Sequence, residues 1–120
     1  MANEEHVQLL RSGFKTWNDW RRRMVEVTPD LDYANLCRAD LSRAHLIGAE
    51  LHYADLTEAR PCEADLRFAG MVEARLHLAD VSHSLLNRTN LHSAFVSEAN
   101  LTSADLFGAN LLHADLWVPS

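Results

Sequence analysis

From Pro29 to Val118 the chain repeats every five residues without a break. The central residue of each repeat, position i, is leucine in fourteen of eighteen repeats, starting at Leu31 and Leu36 and ending at Leu111 and Leu116. Two residues earlier stands alanine in fifteen of the eighteen, and the residue between is usually Asp or Asn. This period excludes the two regular ways of burying a leucine row. On a helix turning about 100° per residue, successive leucines scatter around the cylinder. In a flat strand side chains alternate, and an odd period sends successive leucines to opposite faces. One shared interior forms only if the backbone turns a corner every five residues, with i and i−2 inward and the other positions outward. The expected fold is therefore a solenoid.

Surface charge gives the number of sides per coil, because outward residues one full coil apart become neighbours at about 4.8 Å. At a separation of twenty there are five opposite-sign pairs, Asp40/Arg60, Arg60/Asp80, Asp55/Arg75, Arg38/Glu58 and Arg43/Glu63, against one like pair, Asp30/Glu50. Separations of fifteen and twenty-five give two against five and three against five. Four sides fit best. Such exposed pairs are each worth about 0 to 1 kcal/mol, whereas a buried leucine contributes roughly 1.5 to 3 kcal/mol, so the leucines hold the coil together.

Runs such as Ala34-Asn35-Leu36-Cys37-Arg38-Ala39-Asp40-Leu41-Ser42-Arg43 resemble the pentapeptide-repeat family. The resemblance implies an all-β solenoid, a right-handed quadrilateral β-helix of about 4.5 coils, with an N-terminal α-helical cap. The expected organisation is a capping helix and linker over 1–28, the β-helix over 29–118 and a tail at 119–120. At normal strand spacing the β-helix is roughly 22 Å long. Pro61 replaces an inward leucine and removes a backbone donor, so a bulge or kink is expected near Arg60 to Cys62.

A solenoid needs its ends covered. From about Glu4 to Met24, Val7, Leu10, Phe14, Trp17 and Met24 recur at helical spacing, with Leu9 and Trp20 widening the stripe. Glu4 and Glu5 at the start and Arg21, Arg22 and Arg23 at the end suit the helix dipole. One amphipathic helix is expected, packing Leu10, Phe14, Trp17 and Trp20 on the first coil. At the other end Phe107, Leu111, Leu112, Leu116, Trp117 and Val118 form an apolar edge. Such edges mark interfaces, and a two-fold homodimer through the C-terminal coil is expected.

The 120 residues carry a net charge of −6, which disfavours direct nucleic-acid binding. No apolar run approaches the roughly 18 residues of a membrane span. The acidic start lacks the pattern of a secretory signal, so a cytoplasmic location is expected. Cys37 and Cys62, one coil plus one side apart, are expected to be free thiols. His52 and His92 share a column but are two coils apart, about 9.6 Å, too far to share one ion. No metal or other cofactor is expected, and neither a nucleophile motif nor a phosphate loop suggests catalysis.

Two surfaces are candidates for a partner. Ile47, Phe68, Leu85 and Phe107 project from one side as an apolar patch. Asp30, Asp32, Glu50 and Glu73 form an acidic face without Arg or Lys, beside Tyr33, Tyr53 and His52. The first expectation for function is a non-catalytic protein-interaction or scaffold module with an unidentified protein partner. The alternative comes from the resemblance, whose family includes rods that mimic duplex DNA and inhibit a type II topoisomerase, DNA gyrase. This chain is about half as long as those rods and keeps its acids near the first coils. A supercoiling assay separates the two.

Overall fold

The computed structural model describes residues 1–119; the second residue of the expected tail, Ser120, lies outside them. From residue 29 the chain winds as a four-sided coil. Among the described residues thirteen backbone bridges join residues twenty apart, from Asp30 with Glu50 to Phe95 with Asp115, and all are parallel. Side one carries residues 29–33, 49–53, 69–73, 89–93 and 109–113. Sides two, three and four follow at intervals of five, so side four carries 44–48, 64–68, 84–88 and 104–108. The sides do not form extended strands: each contributes a single bridge, and a turn follows at once. The described β content is thus a ladder of isolated bridges, where the sequence led us to expect an all-β fold.

Each corner is a tight turn closed by a bond from the next alanine to the central residue, as in Ala34 N–H to Leu31 O at 3.0 Å and Ala74 N–H to Met71 O at 3.1 Å. The third turn residue has positive φ throughout, whether it is Tyr33 (66°), Phe68 (61°) or Leu78 (59°). Positive φ at this position defines a type II turn. Inward leucines and alanines stack into one core: Leu31, Leu36 and Leu46 are completely buried, and Ser84 and Thr89 replace alanine without loss of burial. Their hydroxyls are satisfied by Val81 O at 2.7 Å and Leu66 O at 2.6 Å.

Pro61 neither bulges nor kinks the coil. Having no N–H, it cannot bond the next coil, and the expected bridge from Arg60 to Asp80 is missing. The bonds on either side persist, Asp80 N–H to Ala59 O at 2.9 Å and Glu63 N–H to Ser82 O at 3.0 Å. The proline therefore removes one bond and leaves the period intact.

The cap is two helices rather than one. α1 spans Glu4–Arg11 and α2 spans Phe14–Arg23. Gly13, with φ of 101°, breaks them, a conformation that costs an L side chain but not glycine. Asn3 caps α1 by accepting the N–H of Glu5 and His6. Leu10, Trp17 and Trp20 are buried, Phe14 is half-buried under the Arg43 guanidinium, and Met24 is exposed rather than part of the packed stripe. The molecule measures 44 × 26 × 26 Å. Among the described residues no helix is long and apolar enough to cross a membrane.

Candidate functional site

Asp and Asn recur before the central leucine because their side chains hold the backbone. The residue at i−1 accepts the N–H of i+1: Asp40 from Ser42 at 3.1 Å, Asn90 from His92 at 3.1 Å, Asp115 from Trp117 at 3.1 Å. This is the Asx turn favoured by short polar side chains. Where the residue is Glu50 or Gly70, the coil above supplies the acceptor: Asp32 takes the His52 N–H at 2.9 Å, and His52 Nδ1 takes the Val72 N–H at 3.1 Å. The expected charge ladder is accordingly only partly made. Arg38 pairs with Glu58 at 3.6 Å and Arg43 with Glu63 at 3.8 Å. Asp40, Asp55 and Asp80 make no ion pair with Arg60 or Arg75 among the described residues, because their carboxylates bond Ser42, Thr57 and Ser82. The strongest pair lies within one side, Arg67 with Asp65 at 2.7 Å.

Side one brings three of the four expected acidic residues together. Ligand oxygens of Asp30, Asp32 and Glu50 all lie within 4.8 Å of one another. Glu73 does not join them; it continues the column of Tyr33 and Tyr53, whose exposed rings stack at 4.9 Å with 6° between planes. The acidic group is thus confined to the capped end. The sequence reading placed these three on one acidic face but did not weigh their carboxylates as metal ligands. Nor did it pair His92 with His113, whose ring centroids are 5.7 Å apart across adjacent columns. Cys37 and Cys62 are free. The Cys37 thiol is pushed up, first by burial and then by the neighbouring Asp55 carboxylate.

Side four carries the apolar patch. Ile47, Phe68, Leu85 and Phe107 are 39, 59, 39 and 72% exposed, one on each successive coil. At the capped end α2 contributes Arg21, whose guanidinium bonds Val27 O at 3.1 Å, His45 O at 3.1 Å and Ile47 O at 2.7 Å. Trp17 Nε1 donates to His45 O at 2.9 Å. Asn18 is buried and bonds the first coil twice, donating to Arg43 O at 3.0 Å and accepting the His45 N–H at 2.8 Å. The sequence reading gave Arg21 no contact with the coil and Asn18 no role. Polar residues on a helix give no signal of their own that they face a coil edge.

The C-terminal coil lacks any such cover among the described residues. Val81, Leu86, Leu91 and Val96 are at most 3% exposed, whereas Leu101, Leu106 and Leu111 directly below are half-buried and Leu116 is 49% exposed. Leu112, Trp117 and Val118 are exposed beside them. A surface depression of about 370 Å³ lies between α1 and the first coil beside Val7, Arg11 and Tyr33.

A four-sided coil of five-residue units, its interior filled and one end covered by helices, defines a repeat solenoid. A family model for pentapeptide repeats matches residues 30–60 and 84–116 in eight copies. The chain belongs to the pentapeptide-repeat family. The unmatched stretch between includes Pro61, Met71 and Val81 in place of leucine. Among solved structures it is similar to HetL, a pentapeptide repeat protein involved in heterocyst differentiation regulation from the cyanobacterium Nostoc sp. strain PCC 7120. That match has 37% identity and a TM-score of 0.67, and covers 70% of this chain but only 39% of HetL. Rfr23 from the cyanobacterium Cyanothece 51142 is 27% identical over 71% of this chain and 62% of its own, with a TM-score of 0.42. The protein alr5209 from Nostoc PCC 7120 is 32% identical over 77% and 72%, with a TM-score of 0.40. No curated protein sequence matches.

Proposed function

We propose that this chain is a non-catalytic protein-interaction module of the cytoplasm, a right-handed β-helix that presents its outer surface to a protein partner and pairs with a second copy through its C-terminal coil. The observation that carries the reading is the allocation of side chains. Inward positions fill the interior, while side four leaves one apolar group outside on each successive coil and a further group stands at the C-terminal edge; Leu78 and Phe95 on side two and Tyr33 and Tyr53 on side one are exposed as well. Exposed apolar patches of this kind mark interaction surfaces. HetL, which takes part in regulating differentiation, supports a regulatory role without supplying a partner. The DNA-mimic alternative gains no support: the acids that cluster do so at the capped end, and Glu73 stands apart.

Two measurements test the reading. Light scattering should give twice the 13.6 kDa chain mass; a single-chain mass overturns the homodimer. Affinity capture from the host lysate should retain a protein on the wild-type chain that is lost with Phe68→Ser and Phe107→Ser together. Identical recovery by both overturns side four as the contact.

A further inference from the structure

Ten i+1 N–H groups are capped by the Asp or Asn at i−1 of the same side, as Cys37 is by Asn35 and Trp117 by Asp115. Side two loses this cap twice in succession, because Arg75 and Phe95 stand at i−1 where its other coils have Asn35, Asp55 and Asp115. The coil above gives no replacement of the kind that Asp32 and His52 give on side one. Thr57 Oγ1 donates to Asp55 at 2.6 Å, and His77 Nδ1 is held 3.1 Å from both the carbonyl and the hydroxyl oxygen of Ser97. The N–H groups of His77 and Ser97 are therefore left without a protein acceptor among the described residues. On no other side do two uncapped i+1 groups follow one another on successive coils among the described residues.

The ten capped groups show where these two point: into the space between the i−1 and i+1 columns, which an Asp or Asn side chain fills elsewhere. On side two that space is a depression of about 310 Å³ lined by Thr57, Arg75, His77, Phe95 and Ser97. Its size is at the lower end of small-molecule sites, roughly 300 to 1,000 Å³. The two donors stand one coil apart, about 4.8 Å. Arg75 is exposed and makes no ion pair among the described residues, since the Asp55 carboxylate is taken by the N–H and hydroxyl of Thr57. Phe95, bridged to Arg75 on the coil below, is 46% exposed. Glu58 and Glu98 stand at i+2 beside the depression, and Arg75 offsets their charge.

Two backbone donors, a guanidinium and an aromatic ring thus surround a place that a side-chain oxygen occupies on the coils above and below. A carboxylate there accepts both N–H groups and gains a charge-assisted bond from Arg75, while an apolar group carried with it covers the Phe95 ring. We infer that side two binds a carboxylate joined to a flat apolar group, its oxygens replacing the two missing caps at His77 and Ser97, with Arg75 as counter-charge and Phe95 as the apolar wall.

The test follows the His77 and Ser97 amides of the full chain by NMR as sodium phenylacetate is added, with sodium acetate and 2-phenylethanol as the two halves of that probe. Phenylacetate should move both amides and saturate in the millimolar range, and neither half should saturate. Unmoved amides, or an equal response to 2-phenylethanol, overturn the site. Arg75→Asn with Phe95→Asn returns a cap to both positions, a residue that the coil already accepts at Asn35 and Asn90. The double variant should lose the saturable response, and a response like that of the wild type overturns the site as well. A parallel titration with N-acetyl-glutamyl-phenylalanine amide distinguishes the source: tighter binding than phenylacetate assigns the carboxylate to an acidic side chain of a protein, weaker binding to a free organic acid.

Discussion

The Asp80 carboxylate accepts the Ser82 N–H at 3.1 Å and the Ser82 hydroxyl at 2.6 Å, and Asp40 does the same for Ser42. The serine hydroxyl, then the serine N–H, hold both carboxyls below the usual carboxylate range. Replacing Asp80 with alanine should cost about 1 kcal/mol in chemical denaturation, the worth of an ordinary bond, while Asp80→Asn should recover part of it because the amide oxygen still accepts, without the charge. The two acids also make stability pH-dependent. Their folded pKa values lie below the unfolded one, so their contribution is complete above the unfolded carboxylate range, near pH 3.9. It disappears as pH falls through the folded values. The melting temperature, followed by circular dichroism, should therefore drop on acidification below about pH 4, and drop less steeply in the Asp40→Asn, Asp80→Asn double variant. The leucine and alanine periodicity was legible because burial leaves a regular mark on composition. The bonding role of the aspartates was not, since an outward acid on a solenoid looks the same whether it meets an arginine or its own backbone. The positive-φ corner is equally silent: Tyr33, Arg38, Phe68 and Leu78 occupy it as readily as Gly48.

At the scale of elements, the cap shows how a correct periodicity hides a break. Val7, Leu10, Phe14 and Trp17 keep one helical spacing through Gly13, because α1 and α2 turn their apolar faces to the same coil end. Only the left-handed backbone at Gly13 separates them. The polar contacts of the cap are what match it to a coil edge, and Asn18 makes two with one side chain: its Oδ1 takes the His45 N–H as the carbonyl of a coil above would, and its amide donates to Arg43 O. Asn18→Leu preserves volume but leaves the Arg43 carbonyl and the His45 N–H without their partner in a part-buried place. Each unsatisfied group costs about 1 to 3 kcal/mol. The variant should lose about 2 kcal/mol or more in urea denaturation, with the loss of protection on hydrogen exchange concentrated in α2 and residues 43–48. A uniform loss along the chain would show instead that the cap and coil unfold as one unit.

Across the whole molecule, each coil touches only the coils above and below, so the value of a core residue depends on how many neighbours it has. Leu66 and Leu106 occupy the same column of side four, two coils apart. Leu66 lies between Leu46 and Leu86 and is 1% exposed, while Leu106 has Leu86 above and is only half-buried. Leu66→Ala should cost about 3 to 5 kcal/mol, the range for a leucine whose site cannot collapse. In the isolated chain Leu106→Ala should cost about half as much, because Leu106 is packed from one side only and is already partly exposed. Pairing through the C-terminal coil changes that comparison. A second copy covers Leu106 from below, and stability gains a mass-action contribution that grows with protein concentration. Measured by urea denaturation at low protein concentration, the two substitutions should differ about two-fold in cost. At concentrations where light scattering gives the doubled mass, the cost of Leu106→Ala should rise toward that of Leu66→Ala, which stays constant. A Leu106→Ala cost that is independent of concentration while the doubled mass persists would place the contact between copies somewhere other than the final coil.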